Sequence, residues 1–201
     1  MTNACLLTTS TGSLTIGSAR AIRVTAVVFL TALTAAAAQI SFPLPFTPVP
    51  LTLQPMIVLL GGAALGSRLG LLSQVLYLAA GIAGLPVFAA SPLLPQGVAR
   101  LVGPTGGFLL AYPAAAFVTG WLAERGFDRR YLSSVAAMTA GLAVLFAGGV
   151  SMLALQWTAA LGTGAINAAL QAAFYPFVIV DAVKILFAAA VLPGVWKIIG
   201  R

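Results

Sequence analysis

The sequence predicts an all-α membrane protein, folded as a compact bundle of six transmembrane helices with both termini cytoplasmic. Three observations predict it. Of the 201 residues, 61% are apolar and only 6% charged, against the roughly 25% charge that coats a soluble domain. Two runs, Val24 to Ser67 and Tyr131 to Val180, carry no charge, and each far exceeds the roughly 20 apolar residues that cross a bilayer once. The few cations fall in short clusters between apolar runs. The net charge of +7 therefore reads as a topological signal and not as a nucleic-acid surface.

Met1 to Ala19 is rich in Ser, Thr and Gly and lacks an apolar run; it is expected to be a flexible tail before a single transmembrane domain, residues 20–201. Its lone thiol, Cys5, has no second cysteine to pair with, and no redox or metal role is expected. Arg20 and Arg23 precede the first span, Val24 to Ile40. A basic flank, apolar core and small residues also suit a cleaved signal peptide, but the remaining chain needs a membrane too, so the helix is read as retained.

Ser41 to Pro55 holds five prolines and no charge. Proline lacks a backbone donor and disfavours helix before it, so this segment is an extended connector near the membrane surface. The second span runs from Leu51 or Pro55 to Leu65, closed by Gly66, and the third from Leu69 to Phe88, broken near Gly84 and Pro86. A loop over Ala89 to Gly107 follows. The fourth span, Phe108 to Ala123, contains Pro113 as an expected kink; the turn Glu124 to Arg130 leads to the fifth, Leu132 to Leu155. After an uncharged stretch, Gln156 to Ala173, interrupted by Gly162 and Gly164, the sixth covers Phe174 to Val195. No internal repeat stands out, so an inverted-repeat transporter gains no support.

Six spans would place Arg20, Arg23, Arg68, Arg125, Arg129, Arg130, Lys197 and Arg201 on the N-terminal side and Arg100 alone on the other. Eight against one marks the N-terminal side as cytoplasmic, because cytoplasmic loops are the Lys/Arg-rich ones. A five- or seven-span chain would scatter these arginines across both faces.

Within lipid, the informative residues are those that do not belong there. Asp181 and Lys184 lie inside the sixth span, where each charge costs on the order of 2.5–3.5 kcal/mol. Their i, i+3 spacing puts them on one helix face. Two readings stay open: a self-neutralising pair that fixes helix packing, or a donor and acceptor presented together to a polar ligand. Arg100, just before the glycine-rich GPTGG at Gly103 to Gly107, is either a snorkelling loop arginine or part of an anion-binding concavity. Ala32 and Ala36 form a small-xxx-small pair that serves internal packing or docking onto another membrane subunit.

The absences are equally telling. With no histidine, only three carboxylates and no GxxxxGK[ST] loop, the chain has no Ser/His dyad, imidazole metal site or phosphate loop. It is not expected to be an enzyme or to hold a cofactor.

The ordered set PFTPVPLTLQP (Pro45–Pro55), LGSRLG (Leu65–Gly70), YLAAGIAGLPVFA (Tyr77–Ala89), GPTGGFLLAYP (Gly103–Pro113) and VDAVK (Val180–Lys184) resembles the BioY family, the biotin-specific S components of energy-coupling-factor (ECF) transporters. The resemblance spans about Thr31 to Leu192. It implies a multi-pass protein of the bacterial cytoplasmic membrane that captures biotin from outside. It also implies partners, a transmembrane coupling subunit and two cytoplasmic ATPase subunits, with biotin as cargo and not cofactor. The implied substrate site comprises Asp181, Lys184, Arg100, Gly103, Thr105, Gly106, Gln54 and Tyr77, with Thr52 beside Gln54 at the outer mouth; Ala32 and Ala36 match the docking face. Two positions depart from the family: Phe108 stands where tyrosine is common, removing a hydroxyl, and Asp181 follows valine where glycine is more usual. The alternatives carried beside this reading are an S component for another vitamin, a passive facilitator or channel, and a structural scaffold.

Overall fold

A computed structural model of the chain describes residues 16–90 and 95–199. Most of the expected tail, with Cys5, lies outside them, as does Arg201. The helices are α1 (Ile16–Gln39), α2 (Gln54–Leu65), α3 (Ser67–Ile82), α4 (Val98–Val102), α5 (Gly106–Leu122), α6 (Tyr131–Leu161), α7 (Ala165–Ala173) and α8 (Tyr175–Ile199). Four segments, Ser18–Gln39, Gly106–Phe127, Tyr131–Ala173 and Tyr175–Ile198, are long and apolar enough to cross a membrane, and α2 and α3 are shorter apolar helices. The chain is a multi-pass membrane protein.

The structure corrects several expected boundaries. α1 starts at Ile16, inside the expected tail. The third helix ends at Ile82 and not at Phe88, because Gly84 takes φ +91° and turns the chain back. Phe88 then packs edge-on against Tyr77, ring centroids 5.6 Å apart. α6 continues to Leu161; at 1.5 Å per residue its 31 residues extend about 46 Å, beyond a hydrocarbon core of about 30 Å. The expected loop after it is largely helical, with Ala165, Ala169, Ala172 and Ala173 of α7 buried. Pro113 lies inside α5 without ending it. The connector after α1 adds a minimal antiparallel ladder, β1 (Ser41–Phe42) with β2 (Leu51–Thr52), in the register Ser41 to Thr52 and Phe42 to Leu51.

Without a hydrophobic drive between helices in lipid, close approach comes from small residues. A Cβ placed at Gly62 of α2 would lie 2.5 Å from the Ala116 carbonyl oxygen of α5, and one at Gly120 of α5 would lie 2.5 Å from both Gly66 C and Ser67 N. These three helices therefore meet backbone to backbone.

Polar links gather the connections at two ends. At one end Glu124 Oε1 accepts from Ser67 N (2.7 Å) and Ser67 Oγ (2.8 Å), closing the start of α3, and Trp196 Nε1 donates to Asp128 at 2.8 Å. At the other, Gln39 Nε2 donates to the Pro86 carbonyl (3.3 Å), Ser41 Oγ to Ala90 O (3.1 Å) and Gln156 Nε2 to Val102 O (2.9 Å).

Burial pushes the Asp128 carboxyl above its ordinary 3.8, while the Trp196 indole, a backbone amide and Arg129 pull it down. A carboxyl whose folded value is raised holds its proton more tightly in the folded state. Its contribution to stability therefore declines as pH climbs from 3.8 through that raised value. The melting temperature of the wild-type protein in detergent should accordingly drop relative to Asp128→Asn across this window, with the gap closing at lower pH. A constant gap would show that Asp128 titrates normally.

Candidate functional site

Proline and glycine keep the connectors out of regular helix, so they fold over the end of the bundle away from Glu124 and Trp196. Beneath them lies a partly open cavity. Its floor comes from α8, where Phe177, Asp181 and Lys184 line it together; the i, i+4, i+7 spacing puts all three on one face. Leu142, Leu145 and Phe146 of α6 and Phe108, Leu109 and Tyr112 of α5 form the sides. Val49 to Thr52, Gln54, Pro55, Ala89, Arg100 and Thr105 complete it.

The charges are held at defined points. Lys184 Nζ donates to Asp181 Oδ1 at 2.7 Å and to the Thr52 carbonyl at 2.8 Å, and Asp181 is only 5% exposed. These contacts engage two of the three ammonium donors and one of two carboxylate oxygens, leaving both groups capacity for a ligand.

Arg100 is 1% exposed, so it is not a snorkelling loop residue. Its guanidinium donates to Ala89 O at 2.9 Å and Pro95 O at 3.5 Å. Burial draws its pKa down, and the Tyr77 and Tyr112 phenols partly restore it; the group remains a cation at physiological pH. Thr105 Oγ1, also buried at the cavity wall, has no hydrogen-bond partner among the described residues.

Of the residues expected from sequence, Asp181, Lys184, Arg100, Thr105 and Gln54 meet in this one cavity. Tyr77, Gly103 and Gly106 are not among its lining residues. Tyr77 stands behind Gln54: Gln54 Nε2 donates to its hydroxyl at 2.7 Å, and that hydroxyl donates onward to Val87 O at 3.1 Å. The glycine amides expected to face an anion are spent locally, Gly103 N on Arg100 O (3.3 Å) and Gly106 N on Gly103 O (2.9 Å). A Cβ at Gly106 would collide with the Leu101 backbone, so this glycine lets α5 begin hard against α4. Ala32 and Ala36 are both exposed on α1, which disfavours the internal-packing reading.

The apolar walls are not among the residues expected from sequence. Phe146 packs edge-on against Phe174 at 4.9 Å and against Phe108 at 6.3 Å. Phe177 could have been found, one helical turn before Asp181; Leu142, Leu145 and Phe146 carry no such marker within an apolar helix.

Comparison with known proteins supplies independent findings. The model of the BioY family matches residues 8–201. The probable biotin transporter BioY of Pyrococcus horikoshii is 38% identical over 165 residues, covering 82% of this chain and 90% of that one. The biotin transporter BioY of Thermotoga maritima is 38% identical over 161 residues, 80% and 88% of the two chains. Among solved structures, the 2.1 Å crystal structure of the S-component for biotin from an ECF-type ABC transporter superposes with a TM-score of 0.78, at 23% identity, over 92% of this chain and 95% of that one.

Proposed function

This chain belongs to the BioY family, and from that premise we propose that it captures biotin as the substrate-specific component of an ECF-type transporter. One observation carries the reading: an aspartate–lysine pair 2.7 Å apart shares an apolar, aromatic-walled cavity with a buried arginine and a threonine hydroxyl that has no hydrogen-bond partner among the described residues. Biotin offers ureido N–H donors and a carbonyl acceptor, an apolar bicycle and tail, and a carboxylate. A carboxylate side chain accepts from ureido N–H groups, and cations hold the ureido oxygen or the acid. Apolar walls with a few convergent polar groups are the usual form of such a site.

The proposed topology has six spans, α1, α2, α3, α5, α6 and α8, with both termini cytoplasmic in a bacterial inner membrane. The arrangement of cations supports it: Arg68, Arg125, Arg129 and Lys197 border the end joined by Glu124 and Trp196, and the Lys/Arg-rich side is the cytoplasmic one. The cavity then opens outward. The chain acts as a binding protein and not an enzyme, with biotin as cargo. A coupling subunit and two ATPase subunits drive release, docked through Ala32 and Ala36.

The direct test is retention of labelled biotin by the purified chain, displaced by unlabelled biotin but not by thiamine or riboflavin. No retention, or equal displacement by all three, would overturn the assignment. Docking predicts a separate result. Ala36→Trp should leave biotin binding unchanged but lower ATP-driven uptake at least about tenfold, the effect of roughly 1.4 kcal/mol lost from docking. Undiminished uptake in reconstituted vesicles would remove α1 from the interface.

A further inference from the structure

A second concavity lies on the outside of the bundle and shares no lining residue with the polar cavity. It is an apolar groove of about 440 Å³ between α1 and α3. Val27 and Val28 form one wall, Leu72, Leu76 and Ala79 the other, and Arg23 stands at one end. Arg20, one turn earlier, and Arg68, beside the lining residue Leu69, are exposed near the same end. Glu124 reaches this turn as well, but its Oε1 is engaged by Ser67 N and Oγ. One end of the groove is thus cationic and the rest is hydrocarbon.

The length is informative. Leu69 to Ala79 covers ten helical steps, about 15 Å, which is half of a hydrocarbon core about 30 Å thick. The groove therefore runs from headgroup depth through a single leaflet. Its walls are also fixed. Thr31 Oγ1 lies 2.9 Å from the Ser73 carbonyl, tying α1 to α3. Behind it Gln74 Nε2 donates to Thr34 Oγ1 at 3.3 Å and to Ser73 Oγ at 3.1 Å. A partner helix would favour small residues at its contact. The walls here are mainly valine and leucine, and Ala32 and Ala36 lie one and two turns beyond Val28.

We propose that this groove is a binding site for one anionic phospholipid, an acyl chain lying between α1 and α3 and the phosphate held at Arg23, flanked by Arg20 and Arg68. The site selects for headgroup charge, because each arginine near an anionic lipid surface is worth roughly a fivefold change in affinity.

The test uses the full chain in nanodiscs of equimolar phosphatidylglycerol and phosphatidylcholine, released for native mass spectrometry. One phosphatidylglycerol should stay bound in preference to phosphatidylcholine. Arg23→Gln should cut that preference about fivefold. Val28→Trp, which fills the groove from an exposed position, should release the retained lipid, whereas Leu132→Trp on the exposed side of α6 should not. Monodisperse elution and an unchanged melting temperature would certify that each variant is folded. Equal retention of the two lipids, an unchanged preference in Arg23→Gln, or undiminished retention in Val28→Trp would each overturn the proposal.

Discussion

Asp181→Ala should abolish retention of labelled biotin by the purified chain, with a loss of at least about 100-fold. Two effects add. The carboxylate that would accept from the ureido group is gone, and Lys184, which it neutralises at 2.7 Å, becomes an uncompensated cation in an apolar cavity. Breaking a buried pair by removing one partner costs about 3–5 kcal/mol, so the melting temperature should fall as well. A double replacement, Asp181→Leu with Lys184→Met, separates the effects. It removes both charges, so stability should recover while biotin binding stays lost. Recovery of binding in the double variant would make the pair a packing device and exclude it from the site.

The second large effect lies away from the cavity. Gly120→Ala should lower stability by about 3 kcal/mol, at the upper end of ordinary overpacking, and Gly120→Leu should yield no monodisperse protein. The new Cβ would meet Gly66 C and Ser67 N at 2.5 Å and Gly62 O at 2.7 Å. All three are main-chain atoms, Ser67 N tied to Glu124 Oε1 at 2.7 Å and Gly62 O to Gly66 N at 2.9 Å, so no side chain can swing aside. Gly164→Ala is the matched control, because nothing among the described residues lies within 4 Å of its added atom and its melting temperature should not change. Equal melting temperatures for the two alanine variants would show that α2, α3 and α5 can part without penalty.

The helices were legible because lipid exposure leaves a coarse mark: long runs without charge, bounded by arginine clusters and by proline. The polar end of the site was legible for a related reason. In such a chain a charge inside a span is conspicuous, so Asp181 and Lys184 stood out. What escaped were features carried by geometry alone. An apolar side chain facing a cavity and one facing lipid look alike in sequence, so Phe146 gave no signal although it lines the cavity. The end of α3 depended on Gly84 adopting φ +91°, one of several breakers clustered there. The course of α6 past Gln156 is not legible, because the stretch reads equally as uncharged loop or as helix. Arg100 was visible as an outer charge, but nothing in its neighbours foretold that it would be 1% exposed.

The bond from Lys184 to residue 52 ends on a peptide carbonyl and not on the threonine hydroxyl. Every amino acid at that position brings the same oxygen, so a scan of side chains there leaves the anchor intact. The strap over the cavity is moored at an atom that substitution at its own position cannot delete; to cast it loose, one must change the lysine.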